Sequence, residues 1–169
     1  MGQKKTLLLI RHAEAQNLGS TELDQNRPLT EFGKLQAQHM GQKLASMRIL
    51  PSLFISSPAV RTVQTAEIMI ASLGLENKIT FVKEPKVYNA STRMINEIIN
   101  QIDEKHSVVA LIGHNPTISQ MVGYLSQHSI NIMPTCGIVC LELNVEEWSL
   151  VTMGSCNFVW FDFPPHQLS

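Results

Sequence analysis

An α/β fold, a three-layer sandwich with a mainly parallel central sheet and helices on both faces, is predicted by three observations. Short apolar runs alternate with segments of helical periodicity along most of the chain. Two of the predicted helices open on a polar residue followed by proline, Ser57-Pro58 and Asn115-Pro116, just past an apolar run. The length, 169 residues, suits one domain with a substantial core, and no repeat, low-complexity tract or long linker divides it. Residues 1–169 therefore read as a single domain in which strands and helices alternate.

Residues 6–10 are short, continuous and apolar, as a buried strand should be. Residues 19–28 are polar and read as a loop. From Thr30 the apolar positions Phe32, Leu35, Met40, Leu44 and Met47 recur at helical spacing, which predicts a helix over 30–48 with that face buried. Residues 53–56 form a second strand. Ser57 can cap the free N–H groups of the next helix, with Pro58 at its first position, where no N–H is needed. That helix carries Val60, Val63, Ala66, Ile70 and Leu73 and stops at Gly74.

Residues 80–82 are a weak third strand. Met94, Ile95, Ile98, Ile99 and Ile102 mark a third helix, and residues 108–112 a strongly apolar strand. Asn115-Pro116 repeats the cap-and-proline device and opens a helix with Ile118, Met121, Val122 and Leu125. After Pro134 the pattern turns antiparallel. Residues 137–144 and 148–153 read as a hairpin and 157–161 as a last strand.

Composition narrows the function classes. Hydrophobic content of 44% and charged content of 16% exclude a disordered chain. A net charge of −1 without a basic stripe gives no footprint for nucleic acid or a membrane surface. The apolar run at residues 7–10 is far too short for a signal peptide or a membrane span, so a cytoplasmic protein is expected. "MGQKKT" fits the loose N-myristoylation pattern, but Thr6 is needed to start the first strand. Cys136, Cys140 and Cys156 form no even framework and read as unpaired thiols in a reducing compartment. None has an arginine after it, which argues against a cysteine-based phosphatase loop.

In sheets of this kind ligands bind just past the carboxyl ends of the strands. Three predicted strand ends carry chemistry there: Arg11-His12 after the first, Arg61 in the first helical turn after the second, and His114 after the fourth. Helix N-termini attract phosphate, and guanidinium forks match its oxygens bidentately. The constellation reads as a phosphate pocket. His12 is the candidate nucleophile, since imidazole can take up a phosphoryl group and release it to water. Arg11 and Arg61 should disfavour its protonation. His114 and both arginines would bind the equatorial oxygens, with Asn115 beside them. No HExxH, clustered Asp-x-Asp or Walker glycine loop is present, so the scheme calls for no metal and no cofactor. His39, His106, His128 and His166 sit among polar residues and are expected at the surface.

"LLLIRHAEAQN", "ISSPAVRTVQTAE" and "LIGHNP", in this order, resemble the histidine phosphatase superfamily, the phosphoglycerate mutase-like fold. The resemblance covers nearly the whole chain. It implies that His12 is the phosphorylated nucleophile and that Arg11, Arg61 and His114 complete the phosphate pocket. Asn17 falls near a position that often lines it. "RHA", "RPLTEFG" and the short length look most like SixA-type phosphohistidine phosphatases. Many members carry an acidic residue after the third strand; here "EPKVYNAST" puts Val87 at that position and Glu84 out of register. An imidazole leaving from a P–N bond needs less protonation than an alkoxide, so the missing acid and a phosphohistidine substrate agree. If an acid is used, Glu14 and Asp24 are the candidates.

Only the ten residues 83–92 separate the third strand from the third helix, too few for a lid. An open pocket suits a phosphoryl group presented on another protein. The expected activity is hydrolysis of phosphohistidine on a protein partner whose identity the residues do not name. A small-molecule phosphomonoesterase acting on a sugar or nucleotide phosphate is the alternative enzyme. A non-catalytic phosphate-binding module is the alternative outside catalysis.

Overall fold

The computed structural model describes residues 4–17, 19 and 23–168; Gly2, on which the acylation pattern turns, lies outside them. Six strands form one sheet: β1 (Thr6–Arg11), β2 (Leu53–Ser56), β3 (Thr80–Lys83), β4 (Val108–Gly113), β5 (Ile138–Leu143) and β6 (Cys156–Asp162), in the order β3-β2-β4-β1-β5-β6. The pairs β3–β2, β2–β4 and β4–β1 are parallel, while β5 runs antiparallel to β1 and β6 antiparallel to β5. Four helices cover it: α1 (Glu31–Ser46), α2 (Val60–Leu73), α3 (Thr92–Asn100) and α4 (Thr117–Ser126).

β1 shows why its sequence is continuously apolar. Leu7 and Leu9 point into the core shared with α3 and α4, and Leu8 and Ile10 into the core shared with α1 and α2. The sheet is thus buried on both faces, the predicted three layers. The chain after β1 goes to α1 on one face, and the chain after the adjacent β4 goes to α4 on the other. This divergence opens a crevice at the carboxyl ends of β1 and β4.

Several expectations need correction. The inner face of α1 is Gly33, Gln36, Ala37, Met40, Gly41 and Leu44, while Leu35 and Met47 are 39% and 43% exposed. Close approach selects the small residues: a Cβ on Gly41 would lie 2.7 Å from Ser72 Cβ, and one on Gly33 would lie 2.0 Å from the Glu14 carbonyl oxygen. α1 starts where Thr30 accepts a hydrogen bond from the Gly33 amide at 2.9 Å. α2 begins two residues after Pro58 and α4 only at Thr117, and neither has a side-chain cap; Ser57 and Asn115 make other bonds. Gly74 ends α2 in the left-handed conformation, φ 66°.

The hairpin joins β5 to β6, and the stretch read as its second strand is a single 3-10 turn, Trp148–Leu150. Trp148 is fully buried and its indole N–H donates to the His106 carbonyl at 2.8 Å, so tertiary burial overrides the strand pattern. His106 is not a surface residue: it is 7% exposed, with Nδ1 2.8 Å from Ser52 Oγ. All three cysteines are free and buried, and burial pushes the Cys140 and Cys156 thiols up to about 11. Among the described residues no helix is long and apolar enough to cross a membrane.

Candidate active site

The backbone at the end of β1 is fixed on both sides. The His12 amide donates to the Gly113 carbonyl at 3.2 Å, the His12 carbonyl accepts from the Cys136 amide at 3.0 Å, and the Arg11 amide donates to the Gly137 carbonyl at 3.1 Å. The His12 side chain, buried at 9% exposure, sets Nδ1 2.7 Å from the Ala13 carbonyl oxygen. A carbonyl can only accept, so Nδ1 carries the proton and Nε2 keeps its lone pair. Burial lowers the His12 pKa to about 3, against the Ala13 hydrogen bond; His114, Arg61 and Arg11 lower it further, in that order. The arginines act in the expected direction, but desolvation leads. The result is a neutral, correctly tautomeric imidazole beside cations.

Arg11 donates from Nη1 to the Met133 carbonyl at 2.8 Å, and its Nε is buried without a partner among the described residues. Arg61, 5% exposed in the first turn of α2, donates from Nη1 to the Asp24 carbonyl at 2.7 Å and from Nη2 to Asp24 Oδ2 at 2.9 Å. Its Nε too is buried without a partner among the described residues. Arg61 Nη2 also meets His114 Nδ1 at 3.3 Å. A guanidinium only donates, so Nδ1 accepts and His114 Nε2–H donates to Ser57 Oγ at 2.8 Å. Burial, then Arg61, lower the His114 pKa to about 4, with Asp24 opposing. The His12 and His114 ring centroids are 5.3 Å apart.

A cleft of about 310 Å³ collects Arg11, His12, Glu14, Ala15, Arg27, Arg61, His114, Asn115 and Thr135. Six predicted residues, Arg11, His12, Glu14, Arg61, His114 and Asn115, share it. The Glu14 carboxylate accepts from Thr30 Oγ1 at 2.8 Å. Asn115 lines the cleft, but its amide group donates to the Met133 carbonyl at 3.0 Å and accepts from Ser119 Oγ at 2.6 Å. Asn17 is exposed and not among the lining residues.

Asp24 does not fit a proton donor. Burial raises its pKa, but hydrogen bonds from Tyr88, Arg61 and Arg27 outweigh that and hold it at about 2. After β3, Val87 is buried in the core at 3% exposure. The Glu84 carboxylate accepts from the Lys86 amide at 3.0 Å and lines a separate apolar groove beside α3. Neither reaches the cleft.

Sequence reasoning missed Arg27, Tyr88, Thr135 and the link from Ser57 to His114. Arg27 stands three residues after Asp24, and Arg27 Nη2 pairs with Asp24 Oδ1 at 2.8 Å, so helical spacing was a signal for that pair. Tyr88 lies edge-on to His114, centroids 5.6 Å apart, and nothing local announces that contact.

The histidine phosphatase superfamily (branch 1) family model matches residues 7–86. An uncharacterized chloroplastic protein of Arabidopsis thaliana is 29% identical over 153 residues, 85% of this chain and 69% of that protein. The mitochondrial serine/threonine-protein phosphatase Pgam5 of Drosophila mojavensis is 36% identical over 70 residues, 41% of this chain but only 24% of its own length. Among solved structures, the SixA protein of Agrobacterium tumefaciens, assigned as a phosphohistidine phosphatase, superposes with a TM-score of 0.81 at 25% identity, over 95% of this chain and 98% of that one. The protein histidine phosphatase SixA in complex with tungstate superposes with a TM-score of 0.79 at 22% identity, over 94% and 96%. A phosphoglycerate mutase of Bacillus anthracis shares the fold, with a TM-score of 0.69 at 14% identity over 91% and 93%. Three motifs at three strand ends converge on one cleft, and the chain is similar over residues 7–86 to the histidine phosphatase superfamily.

Proposed function

We propose that this chain is a metal-independent phosphatase that hydrolyses phosphohistidine on protein partners through a covalent phospho-His12 intermediate. His12 Nε2 attacks the phosphorus; the new P–N bond forms as the substrate's P–N bond breaks, and the leaving imidazole takes a proton from water. A water then attacks phospho-His12, the P–Nε2 bond breaks, and inorganic phosphate leaves with the lone pair restored to Nε2. Arg11 and Arg61 stabilise the charge on the equatorial oxygens, and His114 holds Arg61 through Nδ1.

The observation that carries this reading is the neutral, Nδ1-protonated His12 sharing one cleft with Arg11, Arg61 and His114. The phosphohistidine substrate is supported by Val87 standing in the core where an acid would be needed for an alkoxide, and by the likeness to SixA structures. The tungstate bound by one of them, an oxyanion like phosphate, supports a phosphate-binding cleft. The three unpaired buried thiols support a reducing, cytoplasmic setting.

A second reading, a phosphomonoesterase, draws on one observation: Glu14 lines the cleft and could protonate an alkoxide. The partial likeness to Pgam5, named for serine/threonine phosphatase activity, points the same way. Phosphate release from a histidine-phosphorylated carrier protein in EDTA, run beside p-nitrophenyl phosphate, separates the two. The expected result is EDTA-resistant turnover of the carrier, with a loss of about 10⁴-fold or more in His12→Ala. Turnover of the ester with the carrier untouched overturns the phosphohistidine reading. Binding of the phosphorylated carrier without turnover of either substrate indicates a binding module.

A further inference from the structure

Asp24 does not line the cleft but is bonded to two arginines that do, Arg27 and Arg61. Its carbonyl and its Oδ2 take Arg61 Nη1 and Nη2, so the outer end of that guanidinium is held at two points. Oδ2 also accepts from the Tyr88 hydroxyl at 2.9 Å, and Oδ1 from Arg27 Nε at 2.9 Å. These donors come from three segments: the stretch after β1, the first turn of α2 and the loop after β3. Arg61 Nη2 also meets His114 Nδ1, and the inner Nε–H is buried without a partner among the described residues. Arg11 shows the same division, with Nη1 on the Met133 carbonyl and a buried Nε likewise without a described partner. In each arginine a fixed acceptor holds a terminal nitrogen of the fork.

We infer that Asp24 is a positioning residue that clamps the outer end of Arg61 and so fixes that guanidinium beside the phosphoryl group on His12. The inference deepens the phosphatase reading and rests on it. Tyr88 and Arg27 fix the clamp by occupying the remaining lone pairs of the carboxylate. The rival arrangement has Asp24 as a competitor, an anion seated where the phosphoryl group belongs. The two differ in sign: losing a clamp weakens oxyanion binding, and losing a competitor tightens it.

The test is tungstate affinity by calorimetry for the full-length wild type, Asp24→Ala, Arg61→Ala and the double variant. It is accompanied by kcat and KM on whichever phosphorylated substrate the wild type turns over. Asp24→Ala should weaken tungstate binding about tenfold, the scale of one lost charge-assisted hydrogen bond, and lower kcat as well. In the Arg61→Ala background the same change should cost less than about twofold, because the clamp then has nothing to hold. Asp24→Asn, which keeps the carbonyl and one side-chain acceptor, should fall between. It is judged by the same criteria if the alanine variant does not fold.

Tungstate binding as tight as wild type or tighter in Asp24→Ala overturns the inference. So do losses that multiply in the double variant, the signature of a role in folding alone. A wild type that binds no tungstate overturns the phosphate-cleft reading itself, whereas turnover of esters instead of phosphohistidine leaves the Asp24 inference standing.

Discussion

The two ends of the parallel strands bury similar side chains and treat them differently. At the amino ends, His106 Nδ1 meets Ser52 and the His106 carbonyl accepts from Trp148. The Trp148 amide donates to Glu104 Oε1 at 2.9 Å, and Glu104 Oε2 pairs with Lys5 Nζ at 2.8 Å. At the carboxyl ends, Arg11 and Arg61 keep buried Nε donors without partners among the described residues, and both side chains line one cleft with His12. Buried polar groups ordinarily pair. A buried histidine is therefore no sign of a site by itself, but uncommitted donors on side chains that share its cleft are.

That contrast can be broken from either end. Trp148→Ala should cost about 3–5 kcal/mol of stability, as large-to-small core changes do, while leaving kcat within about twofold. Urea unfolding beside steady-state kinetics checks it, and a large fall in kcat in a folded variant would merge the two ends. Arg61→Ala should do the reverse, lowering kcat about 100- to 1000-fold with little change in unfolding midpoint.

Gly33→Ala sits between the two. Its Cβ would meet the Glu14 carbonyl at 2.0 Å, displacing the segment that follows His12. A loss of about 1–3 kcal/mol with a parallel fall in kcat is expected, read by thermal unfolding and kinetics.

A further effect is in pH. His12 at about 3 and His114 at about 4 lie below the ordinary 6.5. Between those values the unfolded chain binds protons that the folded chain refuses. Stability is therefore full above pH 6.5 and falls as pH drops from there towards 4. Urea midpoints across that window should fall with pH, and His12→Asn should flatten the slope. An unchanged slope would mean that His12 is not held neutral by its surroundings.

β1, β2 and β4 were legible because each is a largely continuous apolar run that stops on polar residues, as β1 stops on Arg11-His12. The same breaks exposed Arg61 and His114, whose roles depend on lying at a strand end. The role of Asp24 was not legible, since its partners Arg61 and Tyr88 stand 37 and 64 positions away. Nor was the inner face of α1, where contact with α2 and the Glu14 backbone favours glycine over the larger residues that periodicity picks out. Trp148 shows the same limit: alternation suggested a strand, and one buried indole hydrogen bond outside the sheet decided otherwise.

The most direct test is to trap the phosphoryl group on the enzyme. A phosphorus-labelled, histidine-phosphorylated carrier protein is mixed with the full-length chain and quenched in alkali within milliseconds, and the label is located by mass spectrometry. The expected result is an acid-labile, alkali-stable phosphate on His12, formed and lost at rates compatible with turnover and absent from His12→Ala. Turnover with no label on His12, or turnover that survives in His12→Ala, would contradict nucleophilic catalysis by His12.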